Sequence, residues 1–103
     1  MPQFMLTYHD AMQPETPEAG QAHRQKYMQW IKELGDKALV PMAPFGKCHA
    51  VSAEGLSETL PYPMMGYTLL DARDMQEALS LAQSCPFADI GTLQVCEIKA
   101  MKS

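Results

Sequence analysis

The chain has 103 residues, with 8 Lys and Arg against 12 Asp and Glu and a formal net charge of −4. One domain over residues 1–103 is expected, with a modest core, because a chain of about 100 residues buries only about two-thirds of its unfolded surface. Hydrophobic residues at 47% and charged residues at 19% exclude a disordered acidic tail and a collagen-like repeat. The acidic balance, without a basic stripe, excludes a general nucleic-acid binder.

No apolar run is long enough to span a bilayer, so no membrane partner is expected. Met1-Pro2-Gln3-Phe4 lacks the basic and apolar regions of a secretory leader. Cys48, Cys85 and Cys96 form no CxxC and no metal-type spacing, which points to reduced thiols and a cytoplasmic protein. Nine methionines are expected to fill gaps in a core or a subunit interface.

In chain order, residues 3–8 alternate and predict the first strand. Phe4, Leu6 and Tyr8 share one face; Met5, Thr7 and His9 share the other. Residues 10–15 are a polar loop. Thr16-Pro17-Glu18 begins a helix: Thr16 caps, Pro17 suits the first helical position, and Glu18 complements the dipole. The helix runs to Leu34 with His23, Tyr27, Trp30, Ile31 and Leu34 on one face, and Gly35 stops it.

Residues 37–42 read as a short edge strand or an extended connection, and Pro41 excludes a central strand. Residues 47–52 predict the second strand, Ala53-Glu54-Gly55 a turn, and residues 56–63 an irregular segment. Residues 65–70 predict the third strand, with Tyr67 and Leu69 opposite Thr68 and Leu70. Asp74 caps a second helix, paired with Glu77, and Met75, Ala78, Leu79 and Ala82 form its apolar face. Cys85-Pro86 ends it, and residues 92–101 predict the last strand.

The order β-α-β-β-α-β predicts an α+β, ferredoxin-like subunit, a four-stranded antiparallel sheet with both helices on one face. The other face carries apolar residues whichever alternation points outward. Its simplest cover is a second copy, giving a homodimer through the open sheet face.

Several short motifs now stand in one order. Phe4-Met5-Leu6-Thr7-Tyr8 precedes a helix that carries Trp30 and ends Glu33-Leu34-Gly35. Val51-Ser52 with Gly55 and Gly66-Tyr67-Thr68-Leu69-Leu70 follow. Then come Glu77-Ala78-Leu79, Ala82, Cys85-Pro86 and the closing Gly91-Thr92-Leu93-Gln94-Val95-Cys96-Glu97-Ile98. Together they resemble the YCII-related (YciI-like) family in its DGPF-type branch, over nearly the whole chain. The resemblance implies a dimeric α+β barrel. For some members it implies a His–Asp pair in a cleft, including a dehydrochlorinase acting on a hydroxylated aromatic. The chain departs from the family pattern. Leu60-Pro61-Tyr62-Pro63-Met64-Met65 replaces the DGPF-type segment, Cys85 replaces an acidic residue before Pro, and a gapless match puts Arg24, not His23, at the helix histidine.

Candidate chemistry centres on His9, Asp10 and His23. His9-Asp10 ends the first strand, where the carboxylate would orient an imidazole base; the alternative is a solvated strand-to-loop junction. His23 reads as a proton carrier in a pocket over the sheet, or as a half-buried ring covering apolar surface. Tyr8, Tyr27, Trp30 and Tyr67 read as pocket walls or as core. Tyr62 with Pro61 and Pro63 reads as a lid or an ordinary loop. Histidines at 9, 23 and 49 are too scattered for a metal site, and no cofactor is expected, since the chain has no nucleotide-binding glycine loop, nucleophile elbow or HExxH. Cys85, at the negative end of a helix, should have a raised pKa and be a poor nucleophile. Three functions stay open: a small-molecule enzyme acting on an aromatic or short acid, a non-catalytic ligand-binding or regulatory dimer, and a cofactor-free monooxygenase by fold analogy.

Overall fold

The computed structural model describes residues 2–13 and 15–99. Strand β1 spans Gln3–His9 and leads into helix α1, Pro17–Leu34. Thr16 holds extended backbone and its hydroxyl accepts from Ala19 N–H at 3.0 Å, satisfying one orphan donor of the first turn. Gly35, at φ 57°, closes the helix by donating its N–H to the Ile31 carbonyl, a left-handed turn that costs a residue without Cβ little. After a single turn at Gly35–Lys37 comes β2, Ala38–Pro44. The short strands β3, Ala50–Ser52, and β4, Gly55–Ser57, precede β5, Gly66–Asp71. Helix α2 covers Met75–Gln83, a turn covers Pro86–Asp89, and β6 covers Thr92–Ile98. The last two residues of the predicted 92–101 strand lie outside the described residues.

The main sheet has the order β2-β5-β1-β6, and every neighbouring pair is antiparallel. Thus β1 and β2 are parallel with β5 between them, and β5 and β6 are parallel with β1 between them. Two β-α-β units interleave, as expected for a ferredoxin-like α+β fold. The second strand of this sheet is β2, however, not residues 47–52. Pro41 is tolerated because β2 is an edge strand, and the β2–β5 register shifts on either side of Val40. The segment expected as second strand pairs instead with β4 across a tight turn, as a hairpin outside the main sheet that also takes in the start of the expected irregular segment.

Both helices cover one face. Phe4, Leu6 and Tyr8 of β1 and Leu70 of β5 are buried there against Trp30 and Leu34 of α1 and Ala78 and Ala82 of α2. The Trp30 indole N–H donates to the Leu81 carbonyl at 3.1 Å and the Ser84 hydroxyl at 3.2 Å, tying α1 to the end of α2. The buried face of α2 is turned from the expected one: Met75 and Leu79 are exposed, and Leu81 packs against the core with Ala78 and Ala82. Asp74 caps α2 through the Glu77 N–H at 2.9 Å, while the Glu77 carboxylate reaches Arg73 N–H at 3.2 Å rather than closing on Asp74. No described methionine lies in the buried core.

Directly opposed residues share a face. Met5, Leu69 and Cys96 therefore sit together on the uncovered side, as do Thr7, Tyr67 and Gln94.

Candidate functional site

Between the sheet and α1 lies a buried chain of hydroxyls. The Thr68 hydroxyl donates to the Pro41 carbonyl at 2.6 Å. Its one hydrogen is thereby used, so Thr68 accepts from the phenols beside it, the Tyr8 hydroxyl at 2.5 Å and the Tyr27 hydroxyl at 3.3 Å, which are themselves 2.5 Å apart. The carbonyl at its end fixes the direction of this network, from the two phenols to Thr68 to Pro41. Burial pushes both phenols well above the usual tyrosine range, so they act as donors and not as bases. Cys85 lies beside them, and burial pushes its thiol up to about 11. The expected direction holds, with desolvation rather than the helix dipole as its main cause.

His23, on α1, reaches the next layer out. Its Nε2 lies 3.1 Å from the Pro86 carbonyl, which can only accept, so Nε2 carries the hydrogen and Nδ1 holds the lone pair in the neutral ring. No hydrogen-bond partner for Nδ1 occurs among the described residues. The contact depends on the end of α2 before Cys85: the residue before proline is extended, ψ 127°, which turns residues 86–89 back over α1. Gly91 permits that return, since a Cβ there would sit 2.6 Å from the His9 carbonyl and 2.6 Å from the Phe87 ring. His23 lines a cleft of about 630 Å³ with Met12, Glu15, Arg24, Lys26 and Asp89. His23 is half-buried against the Pro86 turn, whereas Arg24 is exposed.

His9 is on the other side of the sheet. Its Nδ1 donates to the Pro63 carbonyl at 2.7 Å, and its Nε2 then accepts from the Thr7 hydroxyl at 2.8 Å. Both nitrogens of the neutral ring are used inside the chain. Asp10 was expected to orient this ring; among the described residues its carboxylate bonds neither nitrogen, and the Pro63 carbonyl holds that place. Asp10 has φ 58°, a left-handed conformation that aspartate tolerates better than most residues, and it ends the strand. A second cleft of about 630 Å³ opens here, lined by Thr7, His9, Asp10, Tyr62, Thr92 and Gln94 among others.

The expected single cleft near His9, Asp10 and His23 is therefore two clefts. The proposed walls divide similarly. Tyr8 and Trp30 are buried core residues and Tyr27 belongs to the hydroxyl chain, while Tyr67 faces the open side with its ring 5.9 Å from Phe45. Trp30 also borders a groove beside α1 with Cys85 and Pro86. Sequence reading missed Thr68, the Pro63 and Pro86 carbonyls, and Asp89. Among the described residues no group of three or more His, Cys, Asp or Glu is placed to hold a metal ion. Among them, too, no helix is long and apolar enough to cross a membrane.

A four-stranded antiparallel sheet with both helices on one face places the chain in the class of ferredoxin-like α+β proteins. Within that class the chain belongs to the YCII-related domain family, whose model matches residues 2–102. Among solved structures it is similar to 5-chloro-2-hydroxyhydroquinone dehydrochlorinase (TftG) from Burkholderia phenoliruptrix AC1100 in complex with 2,5-dihydroxybenzoquinone. That match has a TM-score of 0.61 and 15% identity, and covers 94% of this chain and 93% of the other. At this identity the likeness shows the fold. Comparison with curated proteins found no match.

Proposed function

We propose that this protein is a cytoplasmic, homodimeric small-molecule enzyme in which His23 moves a proton on an acidic aromatic or short-acid ligand. The observation that carries it is the hydrogen bonding of one ring: Nε2–H is held by the Pro86 carbonyl, and Nδ1 has no partner among the described residues and borders a cleft. A backbone carbonyl can fix the tautomer and orientation of an imidazole as a carboxylate does. Nδ1 takes a proton from an acidic O–H or C–H of the ligand. The proton resides on the imidazolium, and the electron pair left on the ligand forms an enolate or expels a leaving group. Arg24 and Lys26, on the same cleft, attract the developing anion. The solved neighbour is a dehydrochlorinase holding a dihydroxybenzoquinone, which supports the aromatic class. Met5, Tyr67 and Leu69 on the uncovered sheet face support pairing of two subunits there, and the free thiols support a reducing compartment.

The test is a thermal-shift titration with 2,5-dihydroxybenzoquinone, followed by chloride release from 5-chloro-2-hydroxyhydroquinone. Ligand at 100 times its dissociation constant adds about 2.7 kcal/mol, or roughly 10 °C or more for a domain of this size. Wild type and His9→Ala should shift, and His23→Ala should lose both shift and turnover. Turnover retained by His23→Ala would overturn the assignment. A non-catalytic binding dimer is the second reading, favoured by His9, whose two nitrogens are already engaged within the chain. It predicts a shift without turnover, kept by His23→Ala, and a lower melting temperature of the free protein in His9→Ala.

A further inference from the structure

We propose that the β3–β4 hairpin is a clasp that closes on a second copy of this chain, extending the sheet-face interface on which the dimer reading rests. Within its own subunit the hairpin has almost no support. Every residue from 51 to 57 is exposed. Val51 and Leu56 are directly opposed across the two strands, on one face, and remain 76% and 80% exposed. A lone two-stranded hairpin is marginal in water, and a cross-strand aliphatic pair contributes only when something packs on it.

The shape of the subunit agrees. Its radius of gyration is 15.2 Å, against about 13 Å for a compact chain of this length, and its thinnest dimension is 18 Å. Area argues for the same occupant. Three seven-residue strands and one of six, about 4.8 Å apart with about 3.3 Å per residue, have a footprint of roughly 430 Å². The loop carrying Pro63 already covers part of it. A stable association removes about 800 Å² from each partner, so the sheet face alone falls short and the hairpin is the apolar surface next to it. The two are continuous. Leu69 and Tyr67 of the open face lead to Phe45, whose ring lies 5.9 Å from that of Tyr67 and whose N–H donates to the Met65 carbonyl at 2.9 Å. That bond fixes the base of the hairpin at the rim of the sheet. In a two-fold dimer the clasp acts twice, once from each copy.

Sedimentation equilibrium over a concentration series tests this, on wild type, on Val51→Asp with Leu56→Asp, and on Leu69→Asp. Wild type should be dimeric, and the hairpin variant should dissociate with a constant at least about tenfold weaker while keeping its far-UV circular dichroism. In wild type, amides of residues 50–57 should exchange slowly when concentrated and fast when dilute. A hairpin variant as tightly dimeric as wild type, beside a Leu69→Asp variant that is monomeric, would overturn the clasp and leave the sheet-face dimer standing. Wild type that stays monomeric would overturn both. Replacing residues 50–57 with a Gly-Ser linker repeats the test without placing charge in the hairpin.

Discussion

Neighbouring residues of β1 meet different fates. Phe4, Leu6 and Tyr8 are wholly buried beneath α1 and α2, whereas Met5 and His9, on the opposite face, stay partly exposed, with the loop that carries Pro63 hydrogen-bonded over the His9 end. The helix side is completed within one subunit. The open side has its polar end satisfied by Thr7, His9 and Pro63, while its apolar middle, Met5 and Leu69, stays partly exposed in the subunit. Substitutions on the first side should change stability independently of protein concentration. Those on the second should act through concentration.

The sharpest way to break that contrast is Leu6→Ala against Leu69→Ala in urea unfolding. Leu6→Ala should lose about 2–5 kcal/mol at every protein concentration. Leu69→Ala should shift the midpoint by an amount that varies with concentration. Equal and concentration-independent losses would show that the two faces are not distinct in this way.

Next in size is an alkaline effect confined to the helix side. The folded thiol of Cys85 titrates at about 11, above its usual value of about 9. Its neutral form therefore stabilises the fold fully below about pH 9, and that contribution, on the order of 2–3 kcal/mol, is lost as pH rises towards 11. Tyr8 and Tyr27 are raised for the same reason and add to the loss in the same direction. Unfolding free energies measured from pH 8 to pH 11 should fall, less steeply in Cys85→Val. A flat profile in wild type would contradict the burial of this cluster.

The hydroxyl chain sharpens the comparison further. Thr68→Val should cost about 1–3 kcal/mol, since it leaves the Pro41 carbonyl without its donor and removes the acceptor that the two phenols share. Tyr27→Phe should cost less, because Tyr8 then keeps Thr68 as its acceptor. The reverse order in chemical denaturation would mean that Thr68 is not the acceptor on which the two phenols converge. The smallest effect belongs to Glu77, which its bond from the Arg73 N–H, and then Lys37 and Arg73, hold below the usual carboxylate range. Its contribution is present at neutral pH and is lost as pH falls through the lowered value. Glu77→Gln should slightly flatten the acid side of the stability profile.

The helices were legible because their signals are local. Thr16, Pro17 and Gly35 mark α1, and Asp74 marks the start of α2, through bonds spanning four residues or fewer. The exchange between residues 38–44 and 47–52 was not legible, since both carry short alternating runs. The choice is made by the ladder to β5, a partner more than twenty positions away, and an edge position removes the objection to Pro41. The sites follow the same rule. The helical stripe and the break at Cys85-Pro86 could each be read from neighbours, but the His23–Pro86 contact spans 63 positions and the His9–Pro63 contact 54. Neither carbonyl has a side-chain signature, so a search for carboxylates near histidine directs attention to Asp10.

Pro41 and Pro44 have a consequence beyond the site. They lie in the outer strand β2, where two of seven residues offer no N–H to any incoming chain. An exposed strand edge is a template for unwanted growth of a sheet, and prolines blunt it. The Pro41 carbonyl, drawn inward by Thr68, offers a newcomer less still. The main sheet thus closes one of its two edges to growth that would have no natural end, and leaves the other, β6, which carries no proline, as the edge from which its own runaway growth would start.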